Sequence, residues 1–169
     1  MKAPTSHILA IVLIVVTSGC VSEVERAYQV EQNRHFMDAD VKMQMRQRAE
    51  ARFPAVNAAM RAAYESGQKI ITPKLVKTVH PEFPKTKLKS RSQGGVWIAF
   101  TLDESGSVVE LTPLTDEQAH QDPEFVEAAV RAVQQWKFSP ASADGKPMPY
   151  LLVVPVLFQM GWLPNKSLQ

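Results

Sequence analysis

The sequence predicts an α+β protein: a small three-stranded antiparallel sheet covered by a helix and preceded by a helical spacer. Three observations carry this. Residues 94–111 hold two apolar stretches of period 2 around Asp103-Glu104-Ser105-Gly106, which is a hairpin. Residues 122–136 repeat apolar side chains at helical spacing. Residues 150–158, YLLVVPVLF, are an apolar run of strand length.

Taken in order, the chain opens with Lys2 and an unbroken apolar run, ILAIVLIVV, over residues 8–16. Nine residues fall short of the roughly 20 that span a bilayer, but suit a signal-peptide core. Thr17, Ser18 and Gly19 follow, and then Cys20, the sole cysteine of the 169 residues. One cysteine makes no internal disulfide. The stretch TSGC resembles the lipobox of bacterial lipoproteins, with Thr17 where that pattern usually has leucine. The resemblance implies that Cys20 is the lipid attachment site and the first residue of the mature chain. The other reading is a plain signal peptide or short anchor with an incidental cysteine.

Residues 22–66 are rich in Glu, Gln, Arg, Met and Ala, good helix formers all. Val24, Tyr28, Val41, Met45 and Phe53 make only a thin apolar stripe, and Pro54 splits the segment into two helical pieces. Ser66-Gly67 is a helix stop. The expected role is a spacer, reaching roughly 70 Å if wholly helical. No sustained heptad argues for a coiled coil.

Beyond residue 69 the pattern changes. Val96, Ile98, Phe100 and Leu102 alternate with Trp97, Ala99 and Thr101, and residues 108–111 return as the second strand. Gly106 supplies the positive φ of the turn. Asp122-Pro123 opens a helix, as N-cap and first helical residue. Its face is Phe125, Ala128, Ala129, Ala132, Val133 and Trp136, and Pro140 forbids continuation. Trp136 and Phe138 are read as pins between helix end and sheet. A helix and a sheet of this size bury their apolar surfaces only against each other.

The ordered set His80-Pro81-Glu82-Phe83-Pro84, Gly95-Val96, Gly106-Ser107-Val108, Trp136-Lys137-Phe138, Pro140 and Gly145-Lys146-Pro147, with a final strand containing Pro155, resembles the TonB C-terminal domain family. The resemblance covers about residues 73–160. It implies a three-stranded antiparallel sheet with two helices, facing the periplasm. It also implies that the domain grips an extended peptide of an outer-membrane transporter beside its last strand, near the P-x-[YF]-P segment. The family's full-length members carry a membrane helix that engages a proton-driven motor, and a long proline-rich spacer. Here the apolar run is short, the spacer is helical, and no histidine follows a serine by four residues in it.

The expected organisation is therefore a signal peptide at 1–19, a helical spacer at 20–68, a TonB-type domain at 69–162 and a tail at 163–169. The expected function is a lipid-anchored, periplasm-facing adaptor that binds an extended peptide or envelope protein by strand addition. Its alternative is an energy transducer coupling an inner-membrane motor to outer-membrane transporters. Val21 after Cys20, in place of aspartate, points to the outer membrane by the sorting habit of lipoproteins. The partner-binding residues expected are Val153, Pro155, Leu157, Pro81, Phe83 and Pro84. Pro155 has no N–H, so its strand is expected to be an edge or to be bulged there; as a regular edge it turns Val153 and Leu157 outwards too. That expectation needs an edge free of any other strand from the same chain.

No nucleophile–base pair stands out, so no enzyme and no cofactor is expected. Residues 116–122, with Asp116, Glu117 and His120, read as a polar loop with a helix cap; the other reading is a divalent-metal site or a periplasmic enzyme built there. A net charge of +2 and the lack of an aromatic ladder argue against nucleic acid. Residues 69–91 carry seven Lys and Arg against Glu82, and residues 103–127 carry acids alone. These are either two solvated surfaces or a basic rim for an acidic partner or anionic headgroups.

Overall fold

The computed structural model describes residues 14–17, 38–114 and 122–159. Strand β1 is Ile14–Thr17, and helices α1 (Ala39–Arg52) and α2 (Pro54–Glu65) follow. Short strands β2 (Ile70–Ile71) and β3 (Leu75–Lys77) lead to a six-residue helix, α3 (Lys85–Ser90). The hairpin is β4 (Gly94–Leu102) and β5 (Val108–Leu114), and helix α4 is Pro123–Val133. Then come β6 (Lys137–Phe138), β7 (Ala141–Ala143), β8 (Lys146–Met148) and the long β9 (Tyr150–Gln159).

The main sheet has the order β1-β9-β4-β5. The expected three antiparallel strands are present: β4 lies between β5 and β9, in unbroken register with β9 from Gly94↔Phe158 to Leu102↔Tyr150. The fourth strand was not expected. β1 runs parallel to β9, pairing Ile14 with Val156 and Thr17 with Gln159. Two small ladders, β2-β7-β8 and β3-β6, tie the segment before α3 to the loop after α4.

The local chemistry matches the elements. Asp122 caps α4, accepting from the Glu124 N–H at 3.0 Å, and Pro123 fills the first helical position. In the hairpin turn the Asp103 carboxylate accepts from Ser105 Oγ at 2.6 Å and from the N–H of Ser105 and Ser107 at 2.9 Å. These bonds hold its pKa below the ordinary 3.8, the Ser105 hydroxyl contributing most. Gly106 has φ +82, and a Cβ there would sit 2.1 Å from the Phe138 carbonyl oxygen. Only glycine allows Phe138 N–H to donate to Gly106 O at 2.9 Å.

Trp136 follows α4 across a two-residue turn and is fully buried. Its Nε1 donates to Val79 O at 2.9 Å, and its ring meets Phe100 edge-on at 6.3 Å. It joins helix end and sheet, the role expected from the sequence, and also ties in the chain before α3, which was not expected.

One expectation is corrected. The helical pieces are present, but they are not a free spacer: Val41, Met45, Ala49, Phe53, Met60 and Ala63 belong to the same core as the sheet. The reason is the other face of the sheet. Phe158 and Phe100, of one parity, meet Phe125 and Trp136 on the α4 side. Trp97, Ala99, Leu151, Val153 and Leu157, of the other parity, are equally buried, and α1 and α2 pack on β9. A sheet apolar on both faces needs a second cover, and the thin stripe of α1 and α2 is enough to provide it.

Candidate functional site

The site expected from the sequence is the outer edge of β9 with the adjoining Pro81–Pro84 turn. Which backbone groups face outwards is fixed by two residues. Leu151 N–H donates to Met60 Sδ at 3.2 Å, away from β4. Pro155, four residues on, has no N–H and stands opposite Trp97 in a register without a break. Alternation therefore turns the backbone groups of Leu151, Val153, Pro155 and Leu157 outwards. Val154, Val156 and Phe158 bond to β4.

The edge is not open, which corrects the expectation. Its C-terminal part, Val156 to Gln159, is paired with β1, and at its N-terminal end Met60 of α2 takes the Leu151 donor. Between them lie Val153 and the donor gap at Pro155. The side chains of Val153 and Leu157 are buried, so whatever these two residues offer a partner is backbone.

The turn before α3 is also a packing element. Phe83 is buried with ring contacts of 5.7 Å to both Phe125 and Phe158, which themselves stack at 4.6 Å. Pro81 is buried, and Pro84 stands half-buried at the start of α3. Phe83 thereby locks the turn to the C-terminal end of β9. A shallow groove runs over this turn, lined by Glu82, Phe83, Pro84 and Lys85 and by Glu124 and Arg131 of α4.

The basic and acidic runs meet here. Lys87 forms ion pairs with Asp122 and Glu124, the latter at 3.4 Å, and Thr86 donates to Glu124. The hydrogen bond to Asp122 is the main cause that raises the Lys87 pKa above its ordinary 10.5. Part of the charge asymmetry is thus internal pairing. Tyr150, at the start of β9, has its phenol pushed far up, by burial first and by Tyr64 second.

Sequence reasoning missed Met60 and residues 14–17. Met60 lay in a segment taken as a spacer. Ile14, Val15, Val16 and Thr17 are all β-branched, a strand signal inside a run whose length suited a signal core. The acidic loop with Asp116, Glu117 and His120, Cys20, expected as the lipid attachment site, and the tail beyond 159 lie outside the described residues. Among the described residues no group of three His, Cys, Asp or Glu is placed to hold a metal ion. No described helix is long and apolar enough to cross a membrane.

Residues 79–160 match the family described as Gram-negative bacterial TonB protein C-terminal. That part of the chain belongs to the TonB C-terminal family. Protein TonB of Vibrio cholerae serotype O1 is 29% identical over 82 residues, which are 48% of this chain and 32% of that protein. The chain thus spans about a third of this relative's length. The solution NMR structure of the Pseudomonas aeruginosa TonB C-terminal domain overlays at a TM-score of 0.43 with 18% identity, over 54% of this chain and 89% of that one. The family match begins at Val79, whose carbonyl holds Trp136, and ends one residue beyond β9. In this TonB-type domain, α1 and α2 lie ahead of the matched residues and cover the second face of the sheet.

Proposed function

We propose that the chain is a lipid-anchored, periplasm-facing adaptor whose TonB-type domain takes up an extended segment of another envelope protein as an added strand on β9. The observation that carries this reading is the edge itself: β9 pairs in register with a fourth strand, four residues long, on the side away from β4. Val153 turns its backbone groups outwards, Leu157 would offer its own once free of the pairing with Val15, and Pro155 leaves a gap in the ladder. Pro81, Phe83 and Pro84 hold the adjacent turn, and the groove above it is the place for side chains of the incoming segment. Cys20 carries the acyl chains, several of which anchor stably where one is marginal. The outer membrane is the proposed home.

A second reading, an energy transducer driven from the inner membrane, is supported by the match to a protein named TonB. In it the apolar run at 8–16 stays in the membrane. Acyl labelling of Cys20 together with the intact mass of the purified protein separates the two: loss of residues 1–19 favours the adaptor, and an intact N-terminus the transducer.

The test of strand uptake is photo-cross-linking in intact cells. A cross-linker at Gln159, half-buried at the end of the β9 edge, should capture one short stretch of an envelope protein. The same group at Val109, 62% exposed on the opposite edge strand β5, should capture far less. Equal capture at both positions would reject the site.

A further inference from the structure

The strand on the β9 edge comes from the chain's own expected leader. Ile14–Thr17 ends three residues before Cys20, so hydrolysis of the Gly19–Cys20 amide would remove it. In that step water gives its hydroxyl to the Gly19 carbonyl carbon and a proton to the Cys20 nitrogen. Building on the strand-addition reading, we propose that Ile14–Thr17 is a removable placeholder. The unprocessed chain fills its own acceptor edge, and loss of residues 1–19 uncovers Leu157 for the partner.

Three features of the molecule support this. β9 is apolar from Tyr150 to Phe158, and an apolar edge with open backbone groups invites aggregation until something covers it. β1 covers only the C-terminal part of that edge, beyond the gap at Pro155, where Met60 gives no cover. The occupant is four β-branched residues in a row, the composition that favours extended backbone. A segment held in a membrane or by the export machinery cannot at the same time pair with β9. Pairing and export are therefore alternatives, and the edge is masked whenever the leader is present and free. The placeholder also describes the partner it stands for. That partner is an extended, β-branched segment running parallel to β9 and starting just past Pro155.

The test uses the full chain carrying Cys20→Ser. The pair Thr17→Cys and Gln159→Cys, directly opposed, should form an intramolecular disulfide on mild oxidation. The pair Ile14→Cys and Gln159→Cys, three residues out of register and so about 10 Å apart, should not. A labelled Lys-flanked peptide of sequence IVVT should bind the reduced first variant at least tenfold better than its oxidised form. Equal cross-linking of both pairs, or of neither, overturns the placeholder and leaves partner uptake to be judged by the Gln159 cross-links. Equal peptide binding by the oxidised and reduced forms also overturns it. An in-register disulfide with no peptide binding in either form overturns the acceptor edge itself.

Discussion

Trp136 shows how one side chain can hold three segments. Its ring fills the space between α4 and Phe100, and its Nε1 fixes Val79. Trp136→Ala should cost about 3–5 kcal/mol in urea unfolding, whereas Trp136→Phe should lose less, keeping the ring but not the hydrogen bond. A Trp136→Ala variant that melts like wild type would mean the residue is not a core anchor. Gly106 is a second such point: Gly106→Ala should cost on the order of 2–3 kcal/mol, because φ +82 is strained for alanine and the new Cβ meets Phe138 O. Asp103 adds a pH dependence of definite sign. Its carboxyl is held below the ordinary value in the folded turn, so its stabilising effect is present above that value. The effect is lost as pH falls through the lowered folded pKa. The difference in unfolding midpoint between wild type and Asp103→Asn should thus be steady near neutral pH and shrink in acid. A difference that grows in acid would contradict the hydrogen-bond account.

Among the elements, α1 and α2 change most between sequence and structure. Met45 is fully buried against the sheet, so Met45→Ala should destabilise the whole domain by about 2–5 kcal/mol in a single unfolding transition. A spacer would give no such effect. The hairpin, α4 and β9 were legible because each carries its own periodic pattern, cap or breaker: Asp122-Pro123, Gly106, Pro140. The packing of α1 and α2 was not, because their apolar stripe is thin and the demand for a cover comes from elsewhere, from Trp97, Ala99 and Val153 on the second face of the sheet. Pro155 gave the outward parity of the edge correctly. It gave no hint of the cover, since β1 lies in a run whose length fits a signal core and whose β-branching fits a strand. Of this edge, the parity was thus legible and the covering strand was not.

At the scale of the whole molecule, the TonB-type sheet is sandwiched between α4 and the α1–α2 pair, and the outer side of β9 carries the four-residue β1. There, a helix side chain, a proline gap and a short strand divide the outward-facing groups among them. The account's central claim is that Leu157 is a strand-accepting group, covered by residues 14–17 and available without them. Amide hydrogen exchange at Leu157 tests it most directly, in the full chain, after removal of residues 1–19, and after adding the Lys-flanked IVVT peptide. The account predicts slow exchange, fast exchange and slow exchange again, with Phe158, bonded to β4, slow in all three states. Exchange at Leu157 that stays at one rate across the three states would contradict it.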